Sequence, residues 1–359
     1  MIFRVKLTPV GHYFLGGERT FSYDKELSRI ASDSYFIKSL KVPSQTTLFG
    51  CLRYMIGVKD NKLRDNSKTL IGEKTYDISQ EQQFGIIKNI SPLYLYRETS
   101  DGKCDYYIRT PFDHKKDEIK EGQTKNSENK EAIVYHPLEL GKSVSVISFP
   151  GKKAVKKNYP SNYVAKEGLE KSYMSVNTLE IVEEDRIFIP SVEVVSKKNH
   201  INPDNRDGYA KKEYYRLYKG WSFVFFADLN TDSIPEYNNS VILGKDSSIF
   251  CAEMTKGQEE PDVSGIFKNR TNDFHYCQSA VYIKRGTSEI IGNSDLSIIE
   301  SDTIRKFQSN GSKLRAVNAP LIQMIKAGSI IYMDDVERFA NDQACVAGFN
   351  RVISGGNDK

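Results

Sequence analysis

Residues 39–56 read SLKVPSQTTLFGCLRYMI. Pro43 and the small or amide-bearing Ser44, Gln45, Thr46 and Thr47 lead into an apolar segment, where Leu48, Leu52 and Met55 or Ile56 recur at helical spacing. The pattern predicts a helix that starts near Pro43 or Ser44, buries one face and stops at Gly57. Its first N–H groups lack partners within the helix, and with the helix dipole they form a natural seat for phosphate. Lys38, Lys41 and Arg53 put positive charge around that start.

Upstream, IFRVKLTPV (2–10) alternates Phe3, Val5 and Leu7 with Arg4, Lys6 and Thr8, the period of a half-buried strand. GHYFLGGERTF (11–21) follows. Gly16 and Gly17 permit close backbone approach at positive φ, and Arg19 can hold a phosphate in a bidentate fork. Near the C-terminus, AGFNRVISGG (347–356) sets Gly348, Gly355 and Gly356 around Arg351. A capped core helix and a tight turn account for the first two segments alone. The third glycine-bearing segment shifts the balance toward a backbone-lined ligand site.

The 359 residues favour two domains. A hydrophobic fraction of 39% with 27% charged residues is an ordinary soluble balance, and no apolar run reaches the roughly 20 residues of a membrane span. The start MIFRVKLTPV has no secretory h-region, and five scattered cysteines without a CxxC pair suit a reducing cytosol, so a cytoplasmic location is expected. The net charge of +4 does not by itself mark a nucleic-acid binder. The densest basic stretch, GKKAVKKNYPSNY (151–163), holds Lys152, Lys153, Lys156 and Lys157 beside Tyr159 and Tyr163, and reads equally as a solvated loop.

Strand patterns recur in both halves with few helices: FGIIKNISPLYLYRET, YYIRTPF and SVSVISFPG, then RIFIPSVEVVS, GWSFVFFADL, NSVILGKDSS, QSAVYIKRG and AGSIIYMDD. The fold class expected is α+β. Residues 113–131 mix charges with little to bury and read as an exposed, mobile insertion. EGLEKSYMSVNTLEIVEED reads as a passage between halves, KKNHINPDNRDGYAKKEYYRLYKG as a polar, turn-rich connection, and VERFANDQ as a short helix or turn. The expected domains are 1–175 and 176–359.

No metal site and no cofactor are expected. The five histidines form no HExxH, and His275 with Cys277 has no second pair nearby. YMDD at 332–335 resembles a carboxylate pair of a two-metal centre, but no third carboxylate is identified, and Asp334 or Asp335 serves equally as a helix N-cap.

The glycine loop after the first strand, the Pro-Ser-x-Thr-led helix and the C-terminal glycine-rich loop resemble the RAMP superfamily proteins of type III CRISPR effector complexes. The order FLGGERTF, VPSQTTLFGCLR, VILGKD, KAGSIIYM and AGFNRVISGG is most similar to the third subunit of the type III-B Cmr complex. The resemblance implies two ferredoxin-like (RRM-like) domains with antiparallel sheets. It implies a non-catalytic subunit that holds the crRNA 5′ tag, docks the large cyclase and polymerase-like subunit, lies beside neighbouring RAMP subunits and meets target RNA indirectly. Carried over by position, it implies RNA contacts at His12, Gly16, Gly17, Arg19, Ser44, Gln45, Thr47, Gly348, Asn350 and Arg351. The final loop carries Phe-Asn-Arg where the family has more glycine. Extended single-stranded RNA also needs aromatic faces, for which Tyr13, Phe14, Tyr159 and Tyr163 are the candidates.

Two other functions compete. A general adaptor would bind no RNA. A metal-independent endoribonuclease processing precursor crRNA would use His12 as general base toward a 2′-hydroxyl. In that case repeat RNA incubated with the protein in EDTA is cut, and His12→Ala abolishes the cut. A scaffold leaves the RNA whole.

Overall fold

The computed structural model describes residues 1–16, 19–21, 35–59, 68–73, 76–79, 81–99, 102–116, 135–137, 139–140, 147–148, 171–197, 208–231, 233–244, 246–267, 273–284, 286, 290, 294, 296–305, 309–310, 313–314, 321–333, 339 and 341–355. The alternation at the N-terminus forms the strand Ile2–Pro9, with Phe3, Val5 and Leu7 fully buried on one face and Arg4 and Lys6 half-buried on the other. It pairs antiparallel with Trp221–Leu229 on one side and with Ile249–Lys256 on the other. Among the described residues this is the middle of a nine-stranded sheet. From one edge the order is Ile181–Glu183, Ser172–Ser175, Cys104–Arg109, Tyr94–Glu98, Trp221–Leu229, Ile2–Pro9, Ile249–Lys256 and Tyr237–Ile242, while Ile87–Ile90 also pairs with Trp221–Leu229. Every one of these pairings is antiparallel.

Each face of the sheet carries its own core. The helix Gln45–Lys59 (α1) lays Leu48, Leu52, Met55 and Ile56 against Phe3, Val5, Leu7, Phe223 and Phe225. On the other face Val224, Phe226, Tyr94 and Ile108 pack with Phe274, Tyr276, Ile330 and Tyr332. Those last residues belong to a four-stranded antiparallel sheet, Leu296–Ile298, Ile330–Tyr332, Phe274–Cys277 and Val352–Gly355. Burial on both faces explains why GWSFVFFADL is a continuous apolar run without alternation.

A second four-stranded sheet, Phe188–Lys197, Gly208–Leu217, Tyr35–Lys38 and Arg19–Phe21, includes one parallel pair. It corrects the reading of the tyrosine-rich connection. GYAKKEYYRL is a strand paired residue for residue with Phe188–Lys197. Its frequent lysines and exposed side conceal a period-2 pattern in which Tyr215 is buried. The passage read at EGLEKSYMSVNTLEIVEED likewise contains two paired strands of the main sheet, Ser172–Ser175 and Ile181–Glu183, so residue 175 ends one strand of a hairpin. The main sheet therefore takes strands from both sides of that position.

Two smaller expectations shift. Helix α1 runs past Gly57 to Lys59, with Gly57 buried in its last turn. A short C-terminal helix, Asp342–Val346, begins at the end of VERFANDQ, half of which lies outside the described residues, and it is capped by Asn341, whose Oδ1 accepts the Ala344 N–H at 3.0 Å. The exposed insertion expected from residue 113 is corrected at its first residues, because Asp113 and His114 are buried. Asp113 Oδ2 accepts the Tyr332 hydroxyl at 2.7 Å, and its Oδ1 lies 3.0 Å from His114 Nδ1. Residues 117–134 lie outside the described set, as do Asp334 and Asp335.

Phe225→Ala, which truncates a fully buried ring between the sheet and α1, is expected to lower the unfolding free energy by about 3–5 kcal/mol in a guanidinium titration. Val10→Ala, at a residue 64% exposed, should shift it by no more than about 0.5 kcal/mol.

Candidate nucleic-acid interface

Residues 10–16 leave the central strand and bridge to the second sheet. The Tyr13 N–H donates to the Tyr215 carbonyl at 2.7 Å, and the Tyr13 carbonyl accepts the Tyr215 N–H at 3.1 Å. This bridge turns the Tyr13 ring inward onto Phe223 and Phe250, with ring centroids 5.9 and 5.6 Å away. Phe14 is buried against Tyr214, and its N–H donates to Ser248 Oγ at 2.8 Å. The expectation that Tyr13 and Phe14 present stacking faces is corrected: both rings belong to the core. His12 is exposed, and Gly16 has φ 70°.

Two hydrogen bonds tie this first loop to the approach to α1. The Leu15 N–H donates to Ser39 Oγ at 3.0 Å, and the Tyr13 hydroxyl donates to the Lys41 carbonyl at 2.6 Å. The loop after Tyr237–Ile242 closes over the same place. At Gly244, φ 74°, an added Cβ would lie 2.4 Å from the Phe14 carbonyl oxygen, so a side chain is excluded there.

Ser44 caps the helix. Its carbonyl accepts from the N–H groups of Thr47 and Leu48 at 2.9 and 3.0 Å, its Oγ accepts the Thr47 N–H at 3.3 Å, and its hydroxyl also meets those of Thr46 and Thr47. Gln45 turns inward and is 8% exposed. Its Nε2 donates to the Gly348 carbonyl at 3.0 Å and to the Ser91 carbonyl at 3.4 Å, and two carbonyl partners fix the amide orientation. Its buried Oε1 has no hydrogen-bond partner among the described residues. At Gly348, φ 79°, an added Cβ would lie 2.7 Å from the Ser91 carbonyl oxygen. The final loop thus closes on the helix start through an approach that only glycine permits.

Beyond Gly348 the amide of Asn350 is used inside the fold. Its Oδ1 accepts the Tyr282 N–H at 2.8 Å, and its Nδ2 donates to the carbonyls of Tyr282 and Phe339 at 2.9 and 3.0 Å. Arg351 is half-buried. Its Nη2 donates to Asn89 Oδ1 at 3.1 Å, while its Nε is buried without a hydrogen bond among the described residues. The structure therefore links the three sequence segments through the start of α1, and makes Gln45 and Asn350 part of the frame.

The charges divide in the same way. Lys38 is exposed at the end of Tyr35–Lys38. Arg53 lies 5.4 Å from the Phe49 ring centroid, and burial lowers its pKa against the opposing pull of Glu73. Lys41 is bonded to Glu184, whose other oxygen is held by Arg109. Burial pushes the Glu184 carboxyl up, but the charges of Arg109 and Lys41 outweigh it and hold the group below the usual carboxylate range. Sequence reading missed Glu184 and Arg109. Arg109 did leave a signal, as a charge inside the otherwise apolar YYIRTPF, whereas Glu184 is hidden in an acidic run. Gly17, Gly356, Lys152, Lys153, Lys156, Tyr159, Tyr163 and the side chain of Arg19 lie outside the described residues.

Among the described residues no cluster of three or more His, Cys, Asp or Glu is arranged to hold a metal ion. His275 uses both ring nitrogens internally, Nδ1 with Ser354 Oγ and Nε2 with the Met333 carbonyl, each at 2.8 Å. No helix among the described residues is long and apolar enough to cross a membrane.

A carboxylate whose folded pKa is depressed gives stability above its unfolded pKa and loses it as pH falls through the folded value. Glu184→Gln is accordingly expected to be less stable than wild type at neutral pH. The difference should shrink as pH drops below about 4.5, the ordinary value for the group. Thermal melts of the two proteins from pH 7 downward check this.

The family described as "CRISPR-associated protein (Cas_Cmr3)" matches residues 5–277. No curated protein matches the chain. Among solved structures, a chain of "Cryo-EM structure of the Type III-B Cmr-beta bound to cognate target RNA" superposes with a TM-score of 0.52 at 12% identity, covering 98% of this chain and 96% of its own. A chain of "Cryo-EM structure of the Type III-B Cmr-beta bound to cognate target RNA and AMPPnP, state 1" gives 0.48 at 11% identity with the same coverage. At such identity the likeness is one of fold. With a family match over most of its length, and with the segments that prompted the resemblance joined in space, the chain belongs to the Cas_Cmr3 family of CRISPR-associated proteins.

Proposed function

We propose that this chain is a non-catalytic crRNA-binding subunit of a type III-B effector complex in antiviral defence. In this reading it holds the repeat-derived 5′ tag and docks the large cyclase and polymerase-like subunit beside neighbouring RAMP subunits in the cytoplasm. Family membership supports the assignment to the complex, and the structural neighbour is a component of an assembly bound to target RNA. The observation that carries the RNA reading is the junction of the first loop, the helix start and the final loop through Leu15–Ser39, Tyr13–Lys41 and Gln45–Gly348. Residues far apart in sequence are thereby linked to the start of α1, whose positive end favours an anion, and this junction is the rim of the proposed site.

The ligand-facing set in this reading is His12, Gly16, Gly17, Arg19, Lys38, Ser44, Thr47, Arg53 and Arg351, with the lysines near 152–156 as an additional basic segment. Gln45, Gly348 and Asn350 shape the rim. Single-stranded RNA suits such a site because several phosphates can be seated by N–H groups and cations without reading bases.

Co-expression with the neighbouring genes of the complex is expected to yield this chain with a small RNA of constant 5′ end and a large polymerase-like partner. Arg351→Ala should reduce the RNA content of the purified complex while leaving the melting temperature of the isolated chain within a few degrees of wild type. Undiminished RNA in that variant counts against the rim. Affinity for tag RNA that stays flat as salt rises would favour the adaptor reading, since each seated phosphate contributes about 0.7 to the slope for a single strand.

A further inference from the structure

We infer that Glu184 is the positioning residue of the proposed RNA rim, and that Lys41 acts through Glu184 rather than on an RNA phosphate. This rests on the RNA-binding reading and assigns a role inside it.

From its position beside the helix start, Lys41 reads as a phosphate ligand. In the structure its side chain is 33% exposed, its Nζ is bonded to Glu184 Oε2 and it lies 5.8 Å from the centroid of the Tyr215 ring. Glu184 begins the short turn Glu184–Arg186 that follows the edge strand Ile181–Glu183, and its side chain is 8% exposed. Its Oε1 is bonded to Arg109 from the strand Cys104–Arg109, a side chain 13% exposed. A carboxylate gripped from both sides in a buried place cannot release one cation without leaving its charge poorly compensated. The Lys41 charge is therefore largely neutralised before any ligand arrives.

What this pair holds is the hub of the rim. Residues 39–41 receive both hydrogen bonds from the first loop, at Ser39 Oγ and at the Lys41 carbonyl, and three residues later Ser44 caps α1. The Lys41–Glu184 bond anchors that hub to the edge of the main sheet. Without it the segment 39–41 loses its charged tie to that edge, while the core contacts of Tyr13 and α1 with the sheet remain.

The test measures binding of the full chain to a labelled single-stranded RNA of mixed sequence over a range of salt concentrations, for wild type, Lys41→Met, Lys41→Arg, Glu184→Gln and the Lys41→Met/Glu184→Gln double variant. The expected result is a several-fold weaker affinity for Lys41→Met and for Glu184→Gln with the salt slope unchanged. Lys41→Arg, which keeps the charge and the bond, should restore affinity, and the double variant should bind no worse than the weaker single one. A salt slope lowered by about 0.7 in Lys41→Met, with Glu184→Gln binding like wild type, would place Lys41 on a phosphate and overturn the assignment. If Glu184→Gln fails to fold, the comparison of Lys41→Met with Lys41→Arg still decides, because their slopes report the phosphate contact directly. Wild-type binding that is flat in salt removes the rim itself and this assignment with it, an outcome distinct from a slope that changes with Lys41.

Discussion

The strand Ile2–Pro9 has neighbours on both sides that come from the other half of the chain, and its register against them is fixed by the pleat. Phe3, Val5 and Leu7 meet α1 only while they face it. A slip of one residue would turn all three to the opposite side and bring Arg4 and Lys6 against Leu48 and Leu52. That exchange would place two charges in an apolar core and move three large side chains to the half-buried side that Arg4 and Lys6 now share with Tyr96. Everything at the end of the sheet inherits this register, because residues 10–16 leave the strand at a fixed height. Tyr13 reaches its bridge with Tyr215 only from there.

At the rim the governing constraint is the need of buried polar groups for partners. Loops that cross the end of a sheet carry main-chain groups away from any ladder, and here side chains complete them. Ser39 takes the N–H of Leu15, Ser248 that of Phe14, Ser279 that of Arg351, and Gln45 caps the carbonyls of Ser91 and Gly348. These short or amide-bearing residues are the polar letters that surround the apolar runs in the sequence. Their work is largely internal. In the proposed reading, the start of α1 and a few cations are what remain to hold a sugar-phosphate chain.

Much of this was legible beforehand for a physical reason. Alternation at Phe3, Val5 and Leu7, the helical spacing at Leu48 and Leu52, and the unbroken apolar run from Trp221 each report burial directly. Ser44 before an apolar stripe reports a cap. What could not be read was direction in space. The inward turn of Tyr13 depends on Phe223 and Phe250, and the use of the Asn350 amide depends on Tyr282 and Phe339, none of which local sequence can bring near. The strand Gly208–Leu217 was hidden because Lys211, Lys212 and Glu213 stand on both of its sides and leave little apolar alternation beside Tyr215. Glu184 was hidden because pairing distinguishes it from its acidic neighbours, and pairing is a property of the folded chain.

The interleaving of the main sheet bears on how the protein is made in the cell. The strand Ile2–Pro9 finds its two neighbours only when residues 221–229 and 249–256 have been synthesised after it. At about 5–20 residues per second that is a wait of roughly ten seconds to a minute. Throughout it Phe3, Val5 and Leu7 stay unpaired in a nascent chain with non-local contacts still to form, a condition under which folding is slow and aggregation competes. A longer exposure of that apolar face to competing association is what this order of synthesis entails.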